Sequence, residues 1–319
     1  MPDDRELLDT RASAQLLGDR FPGMAATEEA IMAVSTEHLD GDDVLARKPL
    51  GFLFWFAVVW VAVVFLAAIL ANVLPLQNPN FQNYSSLNQA PSTAHWLGTD
   101  DLGRDLLARV IFGSRVSLVV GFVGVAIGLA IGGTAGLISG YKGGKLDIAL
   151  NAGSFIILAF PAIVAVIAIV TFWGQSLLHI TIILGVGTIP LMFRVIRASS
   201  LSFAQRDFVV AAKTMGATDT RIVLREILPN VIPVMVTFSL ITVAGIIVIE
   251  GTLAFLGLSV NLPTPSWGNL INEGTANNAL ATDPYIMIWP ALAMFLLLWS
   301  INLIGDRLRQ RFDIREGLL

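Results

Sequence analysis

Cysteine is absent from the 319-residue chain, histidine occurs three times, and only 14% of the side chains carry charge. The first absence removes disulfides, thiolate metal sites and a cysteine nucleophile together. His38, His95 and His179 stand far apart, and neither HExxH nor GxSxG occurs. Proteolysis within a membrane by zinc or serine therefore lacks its parts. Gly143, Gly144 and Lys145 imitate a phosphate loop only in part: Ser139 stands where the first glycine is needed, and Leu146 where a hydroxyl would bind magnesium. Nucleotide hydrolysis by that route is excluded, and the case for a membrane enzyme fails for want of nucleophile, base and metal ligands. An ion-coupled carrier is disfavoured too, because no pair of repeated halves is evident and no second intramembrane charge accompanies Glu250.

What the chain has is apolar length. With 55% hydrophobic residues and a mean hydropathy of +0.73 it reads as an integral membrane protein. A bilayer core of about 30 Å needs roughly twenty apolar residues per helix. Six stretches approach that length: Leu50 to Leu74, Val116 to Gly140, Ile148 to Phe172, Leu177 to Ile196, Val231 to Leu258 and Tyr285 to Ile304. The fourth is interrupted by His179 and Pro190 and reads as short or kinked; Pro161 and Pro290 also lie within spans. The fold expected is an all-α membrane bundle of six helices. Residues 1–48 form an acidic tail with a hint of helix near Glu28 to Val34, read as partly disordered and not as a secretory signal. Residues 49–315 form the membrane domain, and 316–319 a short end.

Basic residues orient the bundle. If the amino terminus is cytosolic, all of the 20 Lys and Arg residues fall on that side except Arg104, Arg109 and Arg115. The asymmetry places both termini in the cytosol and leaves two external segments, about 75–115 and 259–284. In the first, Asp100, Asp101 and Asp105 lack the spacing of a calcium loop; Thr99 as an N-cap and an Asp105–Arg109 pair explain them.

Two features lie inside spans. Gly124, Gly128, Gly132, Gly136 and Gly140 recur every fourth residue and make a packing stripe, for a helix of the same bundle or for a second subunit. Glu250 is buried in an apolar run, where a hydrogen-bonded structural role is favoured over a proton or ion relay.

The stretch Gln205 to Asn230 is a polar island between apolar runs. Phe208, Ala211, Ala212 and Met215 fall on one face of a short helix, and Gly216 follows where a left-handed cap belongs. A second helix starts near Thr218 or Asp219 and is expected to end at Leu228, ahead of Pro229. Such short helices are marginal alone, so a docking element is expected.

AAKTMGATDTRIVLREILPN (Ala211 to Asn230) resembles the cytosolic loop of ABC importer permeases. HWLGTDDLGRDLLARVIFGSRVSL (His95 to Leu118), RVIRASSLSFAQRDFVVAA (Arg194 to Ala212), FLGLSVNLPTPSWG (Phe255 to Gly268) and INLIGDRLRQRFDIR (Ile301 to Arg315) are similar to the second permease subunit of dipeptide, oligopeptide and nickel importers. The resemblance covers roughly residues 50 to 315. It implies a type I importer bundle with no catalytic residues, paired with a homologous second permease in the bacterial inner membrane. It also implies two ATP-binding subunits that hold ATP and magnesium, an extracytoplasmic binding protein that delivers di- or oligopeptides, and no nucleic acid. Nickel or another small chelate is the alternative cargo. Carried over, the ATPase-facing residues of the coupling loop (about 197–230) are Arg206, Asp207, Phe208, Ala211, Ala212, Gly216 and Ala217. Those facing the binding protein are Leu97, Gly98, Thr99, Asp100, Arg104, Pro265, Trp267 and Gly268. One departure is Val210, which stands where the wider family's loop carries a glutamate.

Overall fold

Where an apolar run meets a proline, packing decides whether the helix survives, and the chain contains both outcomes. The computed structural model describes residues 51–275 and 282–316, the last four of these by backbone alone. The expectations for the acidic tail and for the residues after Glu316 lie outside the described residues. The helices are α1 (Phe52–Leu70), α2 (Leu106–Lys142), α3 (Gly144–Ala159), α4 (Ala162–Trp173), α5 (Leu177–Ala204), α6 (Asp207–Thr214), α7 (Asp219–Phe255), α8 (Trp267–Glu273) and α9 (Tyr285–Glu316).

Among the described residues five helices, α1, α2, α5, α7 and α9, are long and apolar enough to cross a membrane, and the number is six if the bent pair α3–α4 makes one span. That pair corrects the third expected span. It turns by 74° at Phe160–Pro161, so Ile148 to Phe172 is not one straight helix. A residue before proline is pushed to extended backbone, and Phe160 sits at φ −81°, ψ 124°. Little packs around the break to resist it, since α3 buries only Ser154 and α4 only Val166.

The fourth stretch reverses the expectation. α5 runs unbroken for 28 residues through a buried Pro190, and His179 lies in its first turn, its backbone N–H donating to the Ser176 N-cap at 3.1 Å. α5 is central to the bundle, held between α2 and α7 along its length. Neighbouring helices can hold a proline-containing helix in shape where an isolated one would break.

The glycine stripe of α2 faces α5. A methyl group added at Gly136 would lie 2.6 Å from the Phe193 carbonyl oxygen, and one at Gly140 2.6 Å from that of Arg197. Gly124 and Gly128 meet Gly185 and Thr188 in the same register, and Gly132 meets Ile189. The stripe is therefore an intrachain packing surface. A four-residue repeat overshoots an α-helical turn by about 40° per step. A wide turn inside the stripe, Leu129–Gly133, takes part of this drift back and keeps the glycines towards α5; a second, Val119–Val123, precedes the stripe.

A third wide turn, Ile222–Ile227, corrects the expected stop at Leu228. It shifts the hydrogen-bond register just before Pro229, which then sits in the first turn of the following α-helical stretch, where a missing N–H costs least. α7 thus continues for 37 residues. α9 packs on α7 and α1, and α8 wedges between α7 and α9. α1 buries only Ala57, Val64 and Ala68 and is peripheral.

Candidate functional site

α6 forms because Arg206 enters it in extended conformation, Asp207 places an acid in its first turn and Lys213 a base in its last. It ends in a Schellman motif: the Ala217 N–H donates to the Ala212 carbonyl at 3.0 Å and the Gly216 N–H to that of Lys213 at 3.0 Å. Gly216 has φ +80°, the left-handed value that this motif needs and that glycine adopts without strain.

The face expected from spacing is divided. Val209 and Ala212 are buried and belong to the core cluster that includes Ile222 and Ile227 of α7. Phe208, Val210 and Met215 point outward at 40%, 51% and 81% exposure, with Ala211 exposed beside them. Ala212 is thus an anchor and not a contact surface, whereas Val210 lies on the outer side. Arg206, Asp207 and Gly216 are exposed, and Ala217 is half-buried.

Two polar clamps involve the same end of α2, and only the second touches this segment; neither was foreseen. Asp147 of α3 accepts from Ser139 of α2 and takes both Nε and Nη2 of Arg197 of α5, the latter at 2.6 Å. Tyr141 of α2 donates its hydroxyl to Asp219 at 2.8 Å, and the Lys213 ammonium lies 4.9 Å from its ring centroid. These partners are separated by 50 to 78 residues in most cases, so local spacing carried no signal of them.

At the opposite end of the bundle lies a cluster of charges. Asp100 Oδ2 accepts from Arg104 Nε at 2.6 Å and from Arg109 Nη1 at 3.1 Å, and both arginines also reach Glu273 at 3.0 Å. Asp100, Arg104 and Arg109 are buried, and the cluster ties the segment before α2 to α8. Burial pushes the Glu273 carboxyl above its usual range, while Arg109 and then Arg104 pull it back. The expected Asp105–Arg109 pair and Thr99 cap are corrected here. Asp105 itself caps α2, accepting from the Ala108 N–H at 2.9 Å, and meets His95 at 3.0 Å. Thr99 bonds the backbone of Ser86 and Gln89. Glu273 was missed because nothing in its Asn-rich surroundings marks an acid that pairs 164 residues away.

Of the residues expected to face a binding protein, Gly98, Thr99, Asp100, Arg104, Pro265, Trp267 and Gly268 are buried, and Leu97 is half-buried. Trp267 donates to the Val110 carbonyl at 2.9 Å, and Gly268 lies so close to Gly251 that an added methyl would be 2.7 Å from its Cα. They brace the end of the bundle. Around them Phe81, Tyr84, Leu87 and Trp96 are exposed.

Glu250 is fully buried and accepts from Ser259 at 2.7 Å and Ser117 at 3.3 Å, joining α7, the segment after it and α2. Glu250→Gln is expected to keep ATP-driven uptake within about twofold while lowering stability by about 1–3 kcal/mol, because one hydroxyl loses its acceptor. Thermal unfolding and uptake of the same preparation check it; loss of uptake at unchanged stability would restore the relay. Among the described residues no group of three or more His, Asp or Glu could hold a metal ion. A cavity of about 270 Å³ opens between α5, α7 and α9, lined by Val195, Pro233, Thr237, Phe238, Arg309 and Phe312 among others.

Comparison with known proteins follows the same outline. Residues 132–316 match the profile of the family described as binding-protein-dependent transport system inner membrane component. Over 258 residues the chain is 36% identical to the glutathione transport system permease protein GsiD of Pectobacterium atrosepticum, covering 81% of this chain and 84% of the relative. It is 37% identical to GsiD of Shigella sonnei over the same shares. Among solved structures, an inward-facing MetNI methionine ABC transporter chain superposes with a TM-score of 0.53 at 22% identity, covering 65% of this chain and 96% of that one. At that identity the likeness concerns the fold.

Proposed function

This chain belongs to the binding-protein-dependent transport system inner membrane components, the permease subunits of ABC importers, and from that premise we propose that it passes small peptides through the inner membrane. ATP hydrolysis is the work of partner subunits, and the system depends on a binding protein. The observation that carries the rest is the outward face of α6, Phe208, Val210, Ala211 and Met215, an apolar strip on a helix whose other side is already packed. Exposed apolar side chains on a capped, protruding helix suit a partner's groove.

On this reading the α6 end lies in the cytosol with both termini, two ATP-binding subunits hold ATP and magnesium, and a homologous second permease completes the pathway. The binding protein docks at the opposite end. Its contact falls on exposed Trp96, Tyr84 and Phe81, while the buried ion cluster keeps their support rigid. The relatives named for glutathione, itself a small peptide, favour peptide cargo over a nickel chelate. The test is uptake into proteoliposomes of the whole complex with its binding protein. Labelled di- and tripeptides should accumulate only with ATP inside the ATPase-accessible compartment. Accumulation of nickel chelate without peptide competition would overturn the cargo, and uptake driven by an ion gradient alone would overturn the mechanism.

A further inference from the structure

We propose that Tyr141 is a positioning residue that ties the motion of α6 to α2. The inference rests on the reading that ATPase subunits dock on α6. That helix is joined to the bundle by two short connections, Gln205–Arg206 from α5 and Met215–Thr218 into α7. The second contains Gly216 in left-handed backbone with open space around it, an arrangement that lets a pushed helix pivot.

Tyr141 bridges this pivot. Its ring lies under the Lys213 ammonium, in the last turn of α6, and its hydroxyl donates to Asp219, the first residue of α7. One side chain of a third helix therefore holds both sides of the break. Tyrosine is suited by a combination that other residues divide: phenylalanine offers the ring face without the donor, and glutamine a donor without the face. Both contacts lie at the surface, where they add little to folding. They are placed to decide whether a helix under load turns about Gly216 or stays in register. From Tyr141 the α2 backbone continues directly into the glycine stripe, which packs closely on α5, so motion entering at α6 reaches the bundle through two routes, α5 and α2.

The chain has no cysteine, so introduced cysteines are unique sites for spin labels within it, and labelling it before reconstitution keeps them so. Labels at exposed Thr214→Cys on α6 and exposed Ile131→Cys on α2 report the distance between the two helices in the reconstituted complex, with and without ATP. With Tyr141 present the distribution should be single and keep its width in both states. With Tyr141→Ala it should broaden at least twofold when ATP is added. Tyr141→Phe, which keeps the ring under Lys213, should fall between, with ATP hydrolysis by the complex within about twofold of the parent. An unchanged distribution in Tyr141→Ala overturns the inference. Loss of assembly in Tyr141→Phe also overturns it, because it would make the hydroxyl a requirement of folding. A cross-link from Phe208→Cys to an ATPase subunit separates the two layers. If it forms and the distribution is unchanged, Tyr141 alone is misassigned; if it does not form, the docking reading falls and the inference with it.

Discussion

Gly216→Val is expected to lower ATP-driven uptake by more than tenfold and to weaken recovery of the ATPase subunits with this chain, whereas Gly216→Asn should keep a large part of both. Among the described residues of this chain no atom lies within 4 Å of where a Cβ would stand, so an internal clash is not the cause. The effect comes from φ +80°, which costs an L-residue about 1–2 kcal/mol and a β-branched one more. Valine relieves that cost by letting the backbone return to the right-handed region. The Ala217 N–H then leaves the Ala212 carbonyl, and the outward face of α6 turns away from its groove. Asparagine tolerates left-handed backbone and should preserve the turn. Equal uptake in the valine and asparagine variants would show that the turn is not what matters.

Glu273→Ala is expected to cost about 3–5 kcal/mol and to lower the unfolding midpoint of the complex by on the order of 10 °C. Removing this carboxylate leaves Asp100 as the one buried acid of the cluster against two buried guanidiniums. Asp101→Ala is the contrast. Asp101 is half exposed and 3.9 Å from Arg104, so its loss should be worth less than about 0.5 kcal/mol. Thermal unfolding in detergent, read for both variants beside the parent, checks the difference. Similar midpoints for the two would mean that the cluster braces nothing.

Local features were legible in the sequence where a single backbone requirement produced them. The Gly216 cap is such a case, since glycine after a short amphipathic turn has one common use. Spacing also showed the glycine stripe, but not whether its partner was α5 or another subunit, because small residues record a close approach and not what approaches. Prolines were ambiguous for a physical reason. Pro161 and Pro190 are the same residue in similar apolar company, yet the first breaks its helix and the second does not; the difference lies in neighbours far along the chain. Pro229 was misread as a stop because the wide turn ahead of it has no residue-level signature. Charged partners at long separation, Glu273 with Arg109 and Asp147 with Arg197, were invisible for the same cause. Reading Ala212 as part of a contact face failed because spacing gives a helix's faces without telling which one is already covered.

The two wide turns of α2 have a further consequence. Each adds one residue that an ordinary helix joining the same ends would not contain. Deleting either surplus residue would leave an ordinary helix joining the same ends, whereas deleting a residue from a regular stretch of α2 would rotate everything beyond it by about 100°. Arg109 at one end and Tyr141 at the other thus keep the mutual angle of a helix two residues shorter, because the wide turns absorb the surplus.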